Sequence, residues 1–270
     1  MAHTNLQLHQ GMIAGAVELY VWSCSATTEA NQMSESAVRM AERQETLATP
    51  MRAFGGLERI ASVTPYRFGQ TIYFQDQRAD CWYCILRGAA RECAVNEDGR
   101  RQIVDFLLPG DVFGFSNGEA RGLAAEIIAE PALVACYPRH RAEALAESDA
   151  AVGRGIRQLA FASIERLQRR ALLLGCSSAM QKVSAFLLEM GTRCGSITHE
   201  PIPLPMTRYD IADYLALRVE TVSRTLSALR RQGAIALVGT RSVRIIDRRR
   251  LAALGTKVTR LPPAQQLRCA

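Results

Sequence analysis

The segment Val219-Glu220-Thr221-Val222-Ser223-Arg224 sets a carboxylate, a hydroxyl and a guanidinium at positions i, i+3 and i+4. On a helix these three side chains share one face, and Val222, Leu226 and Leu229 form the opposite one. Arginine can grip guanine O6 and N7 through two parallel bonds, glutamate can accept from cytosine N4, and serine can serve either way. The same spacing also suits a solvated Glu–Arg pair worth a few tenths of a kcal/mol. What separates the two readings is the set of elements around the segment.

Other reactive residue types are less well placed. Cys81-Trp-Tyr-Cys84 has CxxC spacing, yet it sits in a run that reads as a strand, where i and i+3 point to opposite faces. It reads as core, as do Cys93 and Cys136. Cys176 and Cys194 fall at predicted helix ends in a basic half of the chain, where a thiolate forms more easily. These two are the candidates for a redox trigger. His3, His9, His140 and His199 are dispersed, so no metal site is expected. No Ser-His-Asp set, phosphate loop or paired carboxylates occur, and neither enzyme activity nor a bound cofactor is predicted.

The charge is unevenly divided. Residues 1–145 carry 13 Lys+Arg against 17 Asp+Glu, whereas residues 146–270 carry 20 against 9. An acidic half joined to a basic half points to a polyanionic partner for the second. All 10 basic residues of 207–250 are arginine, whose planar fork suits phosphates and guanine edges. No run reaches the length of a membrane span, and none of the first 38 residues is basic, so neither a membrane anchor nor an export signal is expected.

These residues need a scaffold, and its pattern changes along the chain. Residues 1–50 are weakly patterned, and Met33 is an alternative start to Met1. From about 66 the period is two. Thr71–Phe74, Trp82–Leu86, Gln102–Leu107 and Leu133–Tyr137 read as strands, separated by turns at Gly69, Gly88, Gly99 and Gly110. Residues 141–175 lack proline and repeat apolar side chains in steps of three and four, which predicts one long amphipathic helix. Gly153 and Gly155 weaken its start, so its stable part is expected from 156. Its stripe of Ile156, Leu159, Ile164, Leu167, Ala171 and Leu174 calls for a partner helix from a second copy, leaving Arg154, Arg157, Arg166, Arg169 and Arg170 off the seam. A helix over Ser178–Arg193 follows. Pro201, Pro203 and Pro205 then mark an extended connection. Thr207 reads as the N-cap of a helix over Arg208–Ala216, a turn at Leu217-Arg218 leads to a helix over Val219–Arg231, and strands over Ala234–Val238 and Val243–Ile246 flank a basic turn holding Arg241. Helix, turn, helix and hairpin is the order of a winged helix-turn-helix.

With these motifs in place the chain resembles the CRP/FNR superfamily of bacterial transcription regulators over about 66–247. The resemblance rests on Ile85-Leu-Arg-Gly88, Asn96-Glu-Asp-Gly-Arg100, Leu108-Pro-Gly-Asp-Val-Phe-Gly114, Met206-Thr-Arg-Tyr-Asp-Ile-Ala-Asp-Tyr-Leu215 and Glu220-Thr-Val-Ser-Arg224. It implies an α+β chain: an N-terminal cyclic-nucleotide-binding-like β-roll (a jelly roll), a long dimerisation helix and a C-terminal winged helix-turn-helix. Glu220, Ser223 and Arg224 match the Glu-x-x-Ser-Arg signature of the oxygen-responsive FNR branch, which implies palindromes with TTGAT half-sites. Nucleotide binders of the family carry Gly-Glu and Arg-Ser or Arg-Thr in the β-roll. This chain has Gly114-Phe115, and its Arg121-Gly122 is out of frame, so cyclic nucleotide binding is not expected. Cluster-bearing members group cysteines near the N-terminus, where this chain has only Cys24. The departure points to the FixK-like branch, without the iron–sulfur cluster and tied to micro-oxic respiration and nitrogen fixation.

The expected organisation is a weakly ordered segment over 1–50, a β-roll over 51–145, a dimerisation helix over 146–176, a winged helix-turn-helix over 177–250 and a tail over 251–270. The expected partners are double-stranded DNA, a second copy of the chain and RNA polymerase, and the expected location is the cytoplasm. The DNA-contacting candidates are Thr207, Arg208, Arg218, Glu220, Thr221, Ser223, Arg224 and Arg241. Two rivals stay open: a regulator gated by haem, cyclic nucleotide or another small molecule, and a ligand-binding module that acts on a partner without DNA.

Overall fold

The computed structural model describes residues 56–97, 99, 101–176, 178–194 and 200–255. The expected N-terminal segment over 1–50, with Cys24, and the tail beyond 255 lie outside the described residues. In chain order the elements are strands β1 (Ser62–Tyr66), β2 (Thr71–Tyr73), β3 (Cys81–Val95), β4 (Arg101–Leu107), β5 (Val112–Phe113) and β6 (Ala124–Pro138), then helices α1 (Arg139–Ser148), α2 (Ala150–Leu174) and α3 (Ala179–Arg193). There follow β7 (Ile202–Pro203), α4 (Arg208–Tyr214), α5 (Val219–Arg231), β8 (Ile235–Leu237), β9 (Ser242–Ile245) and α6 (Arg248–Gly255).

The first six strands form one antiparallel sheet in the order β1-β6-β3-β4, with β2 on β6 and β5 on β3. Its backbone is the pairing of the 15-residue strands β3 and β6, whose register shifts between Ile85 and Ala90. Such irregularities bend a ladder, and here they curl the sheet into a roll. Gly88 makes the bend possible: its φ is +83°, and a Cβ there would lie 2.6 Å from the Ala129 carbonyl oxygen. The roll buries Tyr73, Ile85, Leu107, Phe113, Ile127 and Val134 on one side and Leu57, Trp82, Leu86, Val112 and Tyr137 on another.

The helix expected without interruption over 141–175 is two helices. Asp149 ends α1 in an extended conformation and caps α2, its side chain accepting from the backbone N–H of Ala151 (2.8 Å) and Val152 (3.4 Å). The long helix therefore starts at 150, not near 156. Gly153, read as a weak start, is buried inside it, and a Cβ there would sit 3.1 Å from the Ala146 carbonyl oxygen. The glycine lets α2 pass close to α1.

The second half forms one core from α3, α4, α5 and the small sheet β7-β9-β8, through Phe186, Leu187, Met206, Ile211, Leu215, Val222, Leu226, Leu229 and Val243. The proline-marked connection supplies β7. Residues 251–255, expected in a tail, are helical in α6, which buries Leu251 and brings Gly255 so close to α3 that a Cβ there would lie 3.3 Å from the Ala185 backbone nitrogen. Its triple arginine gave no apolar period from which to predict it.

Candidate nucleic-acid interface

Thr207 is the N-cap of α4 and forms a capping box with Asp210. Its hydroxyl accepts from the Asp210 N–H (3.1 Å) and donates to Asp210 Oδ2 (2.7 Å), and its own N–H donates to the same carboxylate (2.9 Å). Thr207, expected among the DNA contacts, has both roles of its hydroxyl committed to that cap. Asp210 is also held from the β-roll, where Arg91 bonds its other oxygen and pairs with Glu126 at 2.8 Å. The first helix of the pair is thus seated on the sheet through its N-terminus.

The turn from α4 to α5 closes with Ala216 in the left-handed region (φ +50°) and a bond from the Leu217 N–H to the Ala212 carbonyl (2.8 Å). It aims α5 so that Val222, Thr225, Leu226 and Leu229 are buried. Glu220 and Arg224 are exposed and Ser223 is half-buried beside them. Among the described residues neither Glu220 nor Arg224 forms an ion pair, although their spacing permits one with each other. The face expected to read base edges is therefore present with its charged groups free. Arg208 reaches across from α4, donating from Nη1 to Ser223 Oγ (3.3 Å), so Ser223 accepts from Arg208 and keeps its proton to donate elsewhere. Thr221 stays half-buried, its carbonyl taken by the Thr225 hydroxyl (2.7 Å). Arg218 is exposed just before α5.

Arg241 is exposed in the hairpin turn, where its carbonyl accepts from the Leu204 N–H (2.8 Å). That bond ties the wing to the proline-marked connection. Tyr209, at 74% exposure beside Arg208, was not singled out in the sequence. An exposed aromatic in the first turn of α4 is the signal that could have found it.

The helix stripe divides. Ile164 (48% exposed), Leu167 (46%) and Ala171 face outward, and Phe161 (62%) and Leu172 (44%), absent from the expected stripe, join them. Ile156 and Leu159, expected in the seam, instead pack inward with Phe115 on the cluster containing Trp82, and Leu174 is half-buried. They face inward because the first turns of α2 run against the roll. Off the stripe, Arg166 and Arg170 are not solvated. Arg166 donates Nε to Asp105 (3.0 Å) and Nη2 to the Val112 carbonyl (3.2 Å). Arg170 bonds the Ile103 carbonyl and lies 5.1 Å over the Tyr214 ring. Arg193, in the last turn of α3, bonds Asp111 and the Phe106 carbonyl. Burial pushes the Asp105 carboxyl up, against the pull of Arg193 and Arg166.

The surroundings of Cys176 and Cys194 lend the redox expectation no support. Burial raises both Cys176 and Cys194, and the cationic neighbours Lys182 and Arg193 only partly oppose it. Arg193 is also bonded to carboxylates, which take up part of the charge it could offer the Cys194 thiol. Among the described residues no group of three or more His, Cys, Asp or Glu could hold a metal ion.

The residues of the β-roll do not fit a cyclic nucleotide. Where an acid would be needed for the ribose, Phe115 packs at a tilt against Trp82 with ring centroids 5.2 Å apart. Arg121, the nearby cation that could meet a phosphate, is 4% exposed and turned inward over Tyr73.

Comparison with known proteins agrees with this architecture. Residues 63–149 match the cyclic nucleotide-binding domain family and residues 181–254 the Crp-like helix-turn-helix domain family. The nitrogen fixation regulation protein FixK of Azorhizobium caulinodans is 40% identical over 196 residues, covering 71% of this chain and 79% of that one. The chain belongs to the CRP/FNR family of transcription regulators. Within it the relatives place it with FixK: the Rhizobium meliloti protein of that name is 36% identical, over 71% of this chain and 86% of its own. The structure of FixK2 from Bradyrhizobium japonicum superposes with a TM-score of 0.67 at 39% identity, covering 72% of this chain and 97% of that one. As a CRP/FNR protein it is a DNA-binding transcription regulator.

Proposed function

We propose that this regulator is a cytoplasmic activator that binds, as a homodimer, palindromes with TTGAT half-sites and recruits RNA polymerase to genes of micro-oxic respiration or nitrogen fixation. The observation that carries the reading is the set Glu220–Ser223–Arg224 at the N-terminal end of α5, with Glu220 and Arg224 exposed and Ser223 half-buried beside them, whose donors and acceptors fit a guanine–cytosine pair in the major groove. Support for the regulon comes from relatives named as nitrogen fixation regulators and from the transcriptional activator FnrL of Cereibacter sphaeroides, 33% identical over 72% of this chain and 81% of its own. Support for the dimer comes from the outward Phe161, Ile164, Leu167 and Ala171, which repeat in steps of three and four on a 25-residue helix. Among the described residues no helix is long and apolar enough to cross a membrane.

In this reading Arg224 and Glu220 specify, Ser223 donates under the control of Arg208, and Arg218 and Arg241 contact phosphates and fix register. Genome-wide DNA occupancy under low and high oxygen tests it. The expected outcome is enrichment of TTGAT palindromes upstream of respiratory or nitrogen-fixation genes. Occupancy without such a motif would remove the half-site assignment.

A further inference from the structure

The β-roll holds a buried cation that the DNA-binding role does not use. Arg121 is 4% exposed, and among the described residues no carboxylate pairs with it. Its guanidinium lies 4.1 Å from the centroid of the Tyr73 ring and 5.2 Å from that of Tyr83. Nη1 donates to the Gly114 carbonyl (3.0 Å) and Nη2 to the Cys81 carbonyl (2.6 Å). Nε is buried without a hydrogen-bond partner.

A lone buried cation with an unsatisfied donor is a poor way to fill a core, since an apolar side chain of similar volume avoids both penalties. The surroundings are nevertheless shaped for it. Gly114 has φ +79°, and a Cβ there would lie 2.8 Å from Arg121 Nη1 and 3.1 Å from Tyr83 Cδ2. Tyr73 is held in place by its hydroxyl, which donates to Glu92 at 2.6 Å. The Arg121 backbone is clamped by bonds to Gln77 (2.9 Å) and from Asp76 (2.8 Å). Two aromatic faces and two carbonyls around a planar cation form a built site.

We propose that the interior of the β-roll around Tyr73, Tyr83 and Gly114 is a guanidinium site and that Arg121 of the chain itself is its resident ligand. The two carbonyls it grips belong to segments that run directly to the helices. Phe115, next to Gly114, packs at a tilt against Trp82 and in the same cluster as Ile156 and Leu159 of α2. Asp80, next to Cys81, accepts from the N–H of Arg139, the first residue of α1 (2.8 Å). By drawing the two segments together the internal guanidinium holds the roll closed against the base of α2. The domain then needs no diffusible effector to reach that state.

The test is chemical rescue of the full chain. Arg121→Ala removes the atoms of ethylguanidinium, which can be supplied in solution. The variant is expected to melt roughly 5 °C or more below wild type and to sediment as a weaker dimer. Millimolar ethylguanidinium should restore both saturably, ethylammonium should not, and neither should shift the wild type. These readouts need no DNA, so they stand apart from the half-site assignment. Equal rescue by the two cations, or an Arg121→Ala protein with wild-type melting and sedimentation, would overturn the proposal. If Arg121→Ala is recovered only unfolded, Arg121→Lys decides: it keeps the charge and loses the planar fork. A lowered melting temperature and weakened dimer support the site, and wild-type behaviour sinks it.

Discussion

Two regions of this molecule use arginine in opposite ways. At the start of α5 and in the wing, Arg218, Arg224 and Arg241 are exposed, and no ion pair engages them among the described residues. Between the roll and the helices, Arg91, Arg166 and Arg193 are nearly buried, and each is spent on carboxylates. The first set is a surface waiting for a polyanion. The second is a clamp that seats α2, α3 and α4 on β3, β4 and the loop before β5. A free guanidinium is an affinity device whose loss leaves the fold alone. A paired, buried one is a structural device, because losing it strands the carboxylate it neutralised. Residue type does not distinguish the two. Only the partner does.

The sharpest way to break this comparison is to remove one arginine from each set. Arg193→Ala leaves Asp105 and Asp111 buried with one cation fewer, and is expected to cost about 3–5 kcal/mol of stability in denaturant unfolding. Arg218→Ala, exposed just before α5, should stay within about 0.5 kcal/mol. Comparable losses from the two variants would erase the distinction between clamp and surface.

The next largest effect lies on α2, where apolar Ile164 and Leu167 face outward while Arg166 and Arg170 turn inward. Placing Glu at both Ile164 and Leu167 sets like charges in the dimer seam, weakening association by roughly 3 kcal/mol or more while each protomer stays folded. Analytical ultracentrifugation reads this directly, and an unchanged dimer would discard the seam.

Smaller and more specific is the reading head. Arg224→Ala should cost about 1–3 kcal/mol per half-site and relax the preference at one base pair, with melting unchanged. Arg241→Ala should instead weaken cognate and random DNA alike and lower the salt slope by about one. Binding titrations over sequence variants and salt separate the two. Equal losses on cognate and random DNA from Arg224→Ala would make α5 a positioning helix.

The smallest expected effect concerns an acid without an arginine. Glu92 accepts from the Tyr73 hydroxyl, and burial raises its carboxyl from 4.5 to about 7 although that bond pulls it down. The folded chain therefore binds this proton more tightly than the unfolded chain. Its contribution is fully present below about pH 4.5 and is lost as the pH rises through about 7. Glu92→Gln removes the dependence, so its stability relative to wild type should grow by about 1–2 kcal/mol from pH 5 to pH 8. Parallel melting curves for the two proteins across that range would show that the acid is not buried in a way that matters.

Much of this was legible before any coordinates. The bounds of α5, the N-cap at Thr207, the helix ending at Arg193 and the turn at Gly110 follow from periodicity, capping and turn chemistry, whereas Gly88, read as a turn between strands, lies inside β3 at a register shift. Each depends on residues within a turn or two of one another, so chain neighbours suffice to determine them. The free face of Glu220, Ser223 and Arg224 was visible for the same reason: three residues on one helix share a face whatever the rest of the protein does.

What the tertiary structure decided is what covers each face. Ile156 and Leu159 have the same apolar character as Ile164 and Leu167, yet the first pair meets the roll and the second meets solvent. Arg166 and Arg170 look like surface residues in sequence and are drawn inward by Asp105 and by the Ile103 carbonyl, some 60 positions away in the chain. Cys194 sits among cations in sequence, but the nearest one is already engaged by Asp111. Thr207 reads as a contact residue until its hydroxyl is seen closing a cap that Arg91 braces from the sheet. Burial and pairing are properties of two surfaces brought together, and a single chain segment carries only one of them.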